Sequence, residues 1–202
     1  MAAYRLSPDR RFSKSDCAVF VTCDPAASER NSADHTAIGV WTVTPENDLL
    51  LLEVVRGRFG VDRIVPELLA VCRRWNPGWI ALEANGFQVA IVQAARGVAG
   101  MAPIRQISHE GKGKLVRATS AIILAESGKL WLPRSAEWIK AFIDELVRFT
   151  GRDDRADDQF DMTAYAAWQV RQVFDDPDPP LIEVRPHESS HAAELGMWGR
   201  SS

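Results

Sequence analysis

Long apolar runs are missing from this chain of 202 residues. No stretch approaches the roughly 20 apolar residues that a membrane-spanning helix needs, so no membrane partner is expected. The N-terminal MAAYRLSPDRRFSKSD is polar and lacks the apolar segment of a signal peptide. Cysteine is scarce: Cys17, Cys23 and Cys72 are odd in number and scattered, with no C-x-x-C. Cys23 and Cys72 lie in apolar runs and read as reduced core residues of a cytosolic protein. There is no G-x-x-x-x-G-K-[ST] loop, and Gly111-Lys112-Gly113-Lys114 does not fit one, so an ATPase motif is absent. Nor is there a strong excess of charge; the net value of −3 argues weakly against a nucleic-acid partner.

The distribution of that charge says more. Between Arg96 and Lys129 the basic residues Arg96, Arg105, Lys112, Lys114, Arg117 and Lys129 face only Glu110 and Glu126. Asp153, Asp154, Asp157, Asp158 and Asp161 then cluster around Arg155. A basic segment beside an acidic one suits a metal-dependent enzyme that acts on phosphates. A solvated surface explains either segment alone.

The length suits one globular domain with a full core. Residues 1–17 read as an arm or linker, 18–174 as the domain, and 175–202 as a flexible tail opening on Asp175-Asp176-Pro177-Asp178-Pro179-Pro180. Residues 18–23, 36–43 and 48–56 are apolar, β-rich runs, the last two joined by a tight turn at Pro45-Glu46-Asn47. Val61, Ile64, Val65, Leu68, Leu69, Cys72 and Trp75 form one helical stripe, stopped by Asn76-Pro77-Gly78. Strands over 79–82 and 103–107 alternate with helices over 88–98 and 114–126. A short extended piece at 130–132 precedes an amphipathic helix over 137–149. A meander followed by right-handed crossovers predicts an α/β fold. Its sheet is mixed, an antiparallel three-strand meander plus parallel strands, flanked by helices.

The last helix opens on Asp157-Asp158-Gln159-Phe160-Asp161. Asp158 and Asp161 are three residues apart and share a helical face. Crowded carboxylates repel and raise one another's pKa, and a divalent cation relieves this. Aspartate at a helix start also serves as a cap, and both readings stand on this stretch alone. Asp24 ends the first apolar run and Glu83 the fourth, so both carboxylates emerge at strand C-terminal edges, where sites form in open α/β sheets. If those strands are neighbours, Asp24, Glu83, Asp158 and Asp161 converge. An oxygen-only donor set suits Mg²⁺ or Mn²⁺, and two ions would clamp the attacking and leaving oxygens of a phosphodiester. Lys112, Lys114 and Arg117 surround a glycine-flanked loop entering a helix and are candidate phosphate contacts.

The ordered set Asp24-Pro25-Ala26, Leu82-Glu83-Ala84-Asn85-Gly86, Lys114-x-x-Arg117 and Asp157-Asp158-Gln159-Phe160-Asp161-Met162 resembles the nuclease domain of tailed-phage terminase large subunits. The resemblance spans Ala18 to about Gln172. It implies an RNase H-like fold, related to RuvC-type resolvases, and a DNA endonuclease that cuts concatemeric viral DNA during genome packaging. It implies that Asp24, Glu83, Asp158 and Asp161 are the catalytic metal ligands, joined less securely by Asp157, and that two Mg²⁺ or Mn²⁺ ions are held. Asp34 would support the site from behind the ligands, and Lys114 and Arg117 would meet the backbone of double-stranded DNA. The family's last motif reads Asp-Asp-x-Val-Asp-Ala; here Phe160 and Met162 stand at the apolar and small positions. Terminase large subunits also carry an N-terminal ATPase motor. The chain therefore reads as a separated nuclease domain: a fragment, a split-gene product or a prophage remnant. An ATPase motor domain and a portal or small terminase subunit are its expected partners in the bacterial host cytoplasm. The alternatives are a RuvC-like Holliday junction resolvase and a non-catalytic RNase H-like module that binds DNA or the portal.

His187-Glu188-Ser189-Ser190-His191 fits the H-E-x-x-H zinc pattern. It follows the Asp/Pro-rich segment, and no third ligand is placed after it as a zincin requires. Adventitious nickel or zinc binding by His187 and His191 is the reading it supports.

Overall fold

The computed structural model describes residues 3–25, 35–83, 88–107, 114–150, 158–175 and 198–200. Its centre is a mixed sheet of seven strands. In chain order the elements are β1 (Ala3–Ser7), β2 (Arg10–Ser13), β3 (Ala18–Asp24), β4 (Thr36–Val43), β5 (Leu49–Gly57), α1 (Val61–Trp75), β6 (Ile80–Glu83), α2 (Gln88–Arg96), β7 (Ile104–Ile107), α3 (Lys114–Glu126), β8 (Leu130–Pro133), α4 (Ile139–Arg148), α5 (Asp158–Asp175) and β9 (Trp198–Arg200). The sheet order is β7-β6-β3-β4-β5-β8-β9. β3, β4 and β5 form the antiparallel meander, β6 runs parallel to β3 and β7 to β6, and β8 runs parallel to β5.

The strands read as unbroken apolar runs because both faces of the sheet are covered. Every residue of β4 is buried. On one face Val21, Cys23, Ile38, Val40, Leu50, Leu52, Ile80 and Leu82 pack against Ile64, Leu68 and Val71 of α1 and Ile91 and Val92 of α2. On the other, Phe20, Ala37, Trp41, Leu49, Leu51 and Ala81 meet Met162, Tyr165, Ala166 and Val170 of α5 and Phe142 of α4. All three cysteines are buried and free. At the β4–β5 turn Asn47 takes φ 63°, a left-handed conformation Asn tolerates, and Thr44 N–H donates to Asp48 O at 3.0 Å.

Two features were not legible as strands. Residues 3–13, within the segment expected as an arm, form the paired strands β1 and β2, and Tyr4 and Leu6 join the α1-side core. Arg10 pairs with Asp48, which is fully buried and also accepts from Trp131 Nε1 at 2.9 Å. The extended piece at 130–132 enters the sheet as β8, where β9 pairs with it.

α5 is buried on nearly all sides from Gln159 to Val170. It lies between the sheet and the outer helices α3 and α4. Phe160 stacks on Phe149 with ring centroids 3.5 Å apart, beside Ala118 of α3 and Ala164. Thr22 Oγ1 donates to Met162 O at 3.0 Å and accepts from Trp41 Nε1 at 2.8 Å. Trp79 Nε1 donates to Gln169 Oε1 at 3.0 Å. Buried polar pairs of this kind have strict geometry, so they fix how far α5 slides along the sheet.

Candidate metal centre

β3 and β6 are parallel neighbours with Cys23 opposite Leu82. One step further, the register sets Asp24 beside Glu83 at the C-terminal ends of both strands. Asp24 in turn faces Ala37 on β4, and Ala37 faces Arg56 on β5. Residues directly opposite one another point to the same face of a sheet. Glu83, Asp24, Ala37 and Arg56 therefore form one row across four strands, on the face that α5 covers.

The start of α5 lies over this row. Asp161 is 8% exposed and Tyr165, one turn further on, is 1% exposed. The Tyr165 hydroxyl donates to Glu83 Oε2. Burial raises the pKa of that hydroxyl far above the ordinary tyrosine range, and the negative fields of Asp24, Asp161 and Glu83 raise it further. Tyr165 thus ties α5 to Glu83, and the charges of Asp24 and Asp161 also act on its buried hydroxyl.

Asp158 is placed differently. Its Oδ2 lies 3.3 Å from Arg56 Nη2, and Glu145 of α4 lies 3.4 Å from the same nitrogen. Glu145 also accepts from Gln159 N at 2.7 Å and Gln159 Nε2 at 2.6 Å. A carboxylate that takes a first-turn N–H caps the helix and faces the positive end of its dipole. Arg56 and Glu145 thereby hold the first turn of α5 against the sheet and α4. At the other end of the row, Gln88 is buried, and its Nε2 donates to Pro25 O at 3.2 Å just beyond Asp24.

The remaining sequence candidates are less informative. Asp34, Lys112, Asp157, His187 and His191 lie outside the described residues. Lys114 and Arg117 fall in the first turn of α3, but their side chains are also outside them. Among the described residues, no three His, Cys, Asp or Glu side chains stand close enough to hold one ion between them. The donor chemistry is nevertheless hard oxygen throughout, the type that takes Mg²⁺ or Mn²⁺. Sequence reading missed Arg56, Gln88, Glu145 and Tyr165. Only Tyr165 left a trace, as the residue four places after Asp161 on the same helical face.

A family model described as the terminase RNase H-like domain matches residues 21–169. No curated protein matches the chain. Among solved structures the chain is similar to the large terminase nuclease of thermophilic phage G20c with bound magnesium. The identity is 16%, with 82% of this chain and 85% of that one covered and a TM-score of 0.57. T. thermophilus RuvC in complex with a Holliday junction substrate matches at 16% identity, covering 76% of this chain and 94% of that one, with a TM-score of 0.45. The yeast mitochondrial Holliday junction resolvase matches at 10%, covering 84% of each chain, with a TM-score of 0.46. At these identities the phage nuclease supports the fold alone, and the two resolvases carry no argument.

Proposed function

The chain belongs to the terminase RNase H-like domain family, with a nuclease role in phage DNA packaging, and on that premise we propose that it is a divalent-metal-dependent DNA endonuclease. Asp24, Glu83 and Asp161 would hold Mg²⁺ or Mn²⁺, with Asp158 beside them and two ions the expected number. The observation that carries this reading is the β3–β6 register that sets Asp24 beside Glu83, with Tyr165 of α5 bonded to Glu83. Such an ion would supply Lewis-acid polarisation of the phosphodiester and charge stabilisation as the bond breaks.

The residues of the chain perform the other tasks. β3 and β6 hold two carboxylates rigidly at adjacent strand ends, and α5 brings the third down from above. Arg56 and Glu145 fix the helix start, so Asp161 keeps its height over the row. Ala37 stands between Asp24 and Arg56 and presents only a methyl group there. Lys112, Lys114 and Arg117 would contact phosphates of double-stranded DNA without reading bases, which makes cleavage tolerant of sequence. The reading brings with it a packaging ATPase, a portal or small-subunit partner and the host cytoplasm. Among the described residues no helix is long and apolar enough to cross a membrane.

The test is cleavage of supercoiled plasmid. Nicking and linearisation are expected with Mg²⁺ or Mn²⁺ and not with EDTA. Asp24→Asn and Glu83→Gln should abolish both while the protein stays folded. Cleavage that survives either substitution with an unchanged metal requirement overturns the assignment.

A further inference from the structure

We propose that Tyr165 is a positioning residue of this centre: its hydroxyl orients the Glu83 carboxylate and ties the end of β6 to α5. The inference rests on the reading that these acids hold a divalent ion. Tyr165 lies in the core cluster with Phe20, Ala37, Met162 and Ala166, where a phenylalanine ring would fill almost the same volume. The hydroxyl is therefore not required by packing. It is also costly, since a buried O–H must find an acceptor to offset its desolvation. The acceptor it finds is Glu83, an acid in register with Asp24 at the adjoining strand end.

The chemistry of the donor matters. A lysine or arginine in this position would orient Glu83 but bring its own positive charge, and so compete with a metal ion. A tyrosine hydroxyl donates a hydrogen bond and stays neutral, leaving the negative charge of the acids in place. Outer partners that hydrogen-bond to ligating carboxylates fix their orientation, and their loss typically weakens metal affinity by about 10–100-fold. Thr22 to Met162 O, Trp79 to Gln169 and Arg56 to Asp158 also link the sheet to α5, and none of these three bonds is made to a strand-end acid. The Tyr165 bond is made to one of those acids directly.

The chain has two tyrosines, and Tyr4 sits in the core cluster on the opposite face of the sheet. The full chain labelled with 3-fluorotyrosine therefore gives two fluorine resonances, with Tyr4 as an internal reference. Titration with Mg²⁺ in the absence of DNA should move the Tyr165 resonance saturably and leave Tyr4 in place. Tyr165→Phe, folded by circular dichroism, should bind Mg²⁺ about 10–100-fold more weakly by calorimetry. A folded Tyr165→Phe that binds Mg²⁺ as the wild type does overturns the positioning role and leaves the metal reading intact. If that variant does not fold, the wild-type titration decides. A Tyr165 resonance unmoved at calorimetric saturation overturns the inference. Absence of any saturable Mg²⁺ binding that Asp24→Asn removes overturns the metal reading, and this inference with it.

Discussion

Gly39→Ala should damage the proposed metal centre from a position outside its candidate acids. Gly39 lies on β4, two residues from Ala37 and on the same face. A Cβ added there would meet Trp41 Nε1 at 2.6 Å and Met162 Sδ at 2.7 Å. Carbon contacts are favourable near 3.5–4.0 Å, so something must retreat by roughly 1 Å. Trp41 and Met162 are both fully buried. Trp41 donates to Thr22, which donates to the Met162 carbonyl, so a retreat of either strains the pegs that seat α5. Overpacking of a core costs about 1–3 kcal/mol, and a buried donor left unsatisfied about 1–3 kcal/mol. A destabilisation of about 3 kcal/mol is therefore expected, lowering Tm by about 6–12 °C in a chain of this size. The displacement also carries Asp161 and Tyr165 with it, and a misplacement of about 1 Å can cost about 100-fold in rate. Met162→Ala alone leaves a cavity, but combined with Gly39→Ala it frees the space the new methyl needs. The double variant should therefore be at least about 1 kcal/mol more stable than the two single effects predict. Chemical denaturation of the four proteins measures this coupling. Additive effects, or a Gly39→Ala protein as stable as wild type, would refute the close-approach argument.

Asp24→Asn should melt at a higher temperature than wild type without metal, because it removes one of the charges crowded about Tyr165; calorimetry with EDTA checks the sign, and adding Mg²⁺ should stabilise wild type only. Glu145→Gln should lose the charge-assisted cap on Gln159 and the pairing with Arg56. A cost of about 2 kcal/mol is expected, with cleavage falling alongside it, and unchanged stability would contradict the capping role. Lys114→Ala with Arg117→Ala should weaken binding to all DNA sequences alike and shallow the log–log salt dependence by roughly one unit for each phosphate no longer neutralised. Mg²⁺ binding without DNA should stay the same, and an unchanged salt slope with cleavage intact would remove these residues from the interface.

The strands that carry the acids were legible because burial on both faces writes an uninterrupted apolar run, and the run ends where the carboxylate begins. Asp24 and Glu83 follow that rule. Their convergence was conditional on the two strands being neighbours, a pairing no local pattern dictates; β3 and β6 do pair in parallel, with Cys23 opposite Leu82. The N-terminal hairpin was not legible because its signal is distant. Arg10 is oriented by Asp48 and Glu46, more than thirty residues away, and Tyr4 and Leu6 acquire a core only once the sheet exists. The same applies to the support of the site. Arg56 meets Asp158 across 102 residues and Tyr165 meets Glu83 across 82, so no local spacing reveals either pair. Gly39 and Met162 illustrate the point from the other side. Met162 of α5 stands at the small position of the family motif, and the room for it comes from a glycine on β4.

That same separation divides two acids that sequence spacing treats as equivalent. Asp158 and Asp161 are three residues apart, and helical geometry alone puts them on one face. The sheet beneath them is not uniform, however. Below Asp158 lies the Arg56 end of the row, and the guanidinium already supplies Asp158 with positive charge. Asp161 instead shares the field around Tyr165 with Asp24 and Glu83, where the hydroxyl offers hydrogen bonding but no charge. Attraction for a cation scales with the local excess of negative charge. On the proposed metal reading, an ion would therefore enter first at the side of the row that carries Asp24, Glu83 and Asp161. Engaging Asp158 as well requires the ion to compete with Arg56 for that carboxylate. If two ions bind as proposed, the second should bind more weakly than the first in a calorimetric titration, and Arg56→Met should narrow the gap between the two affinities.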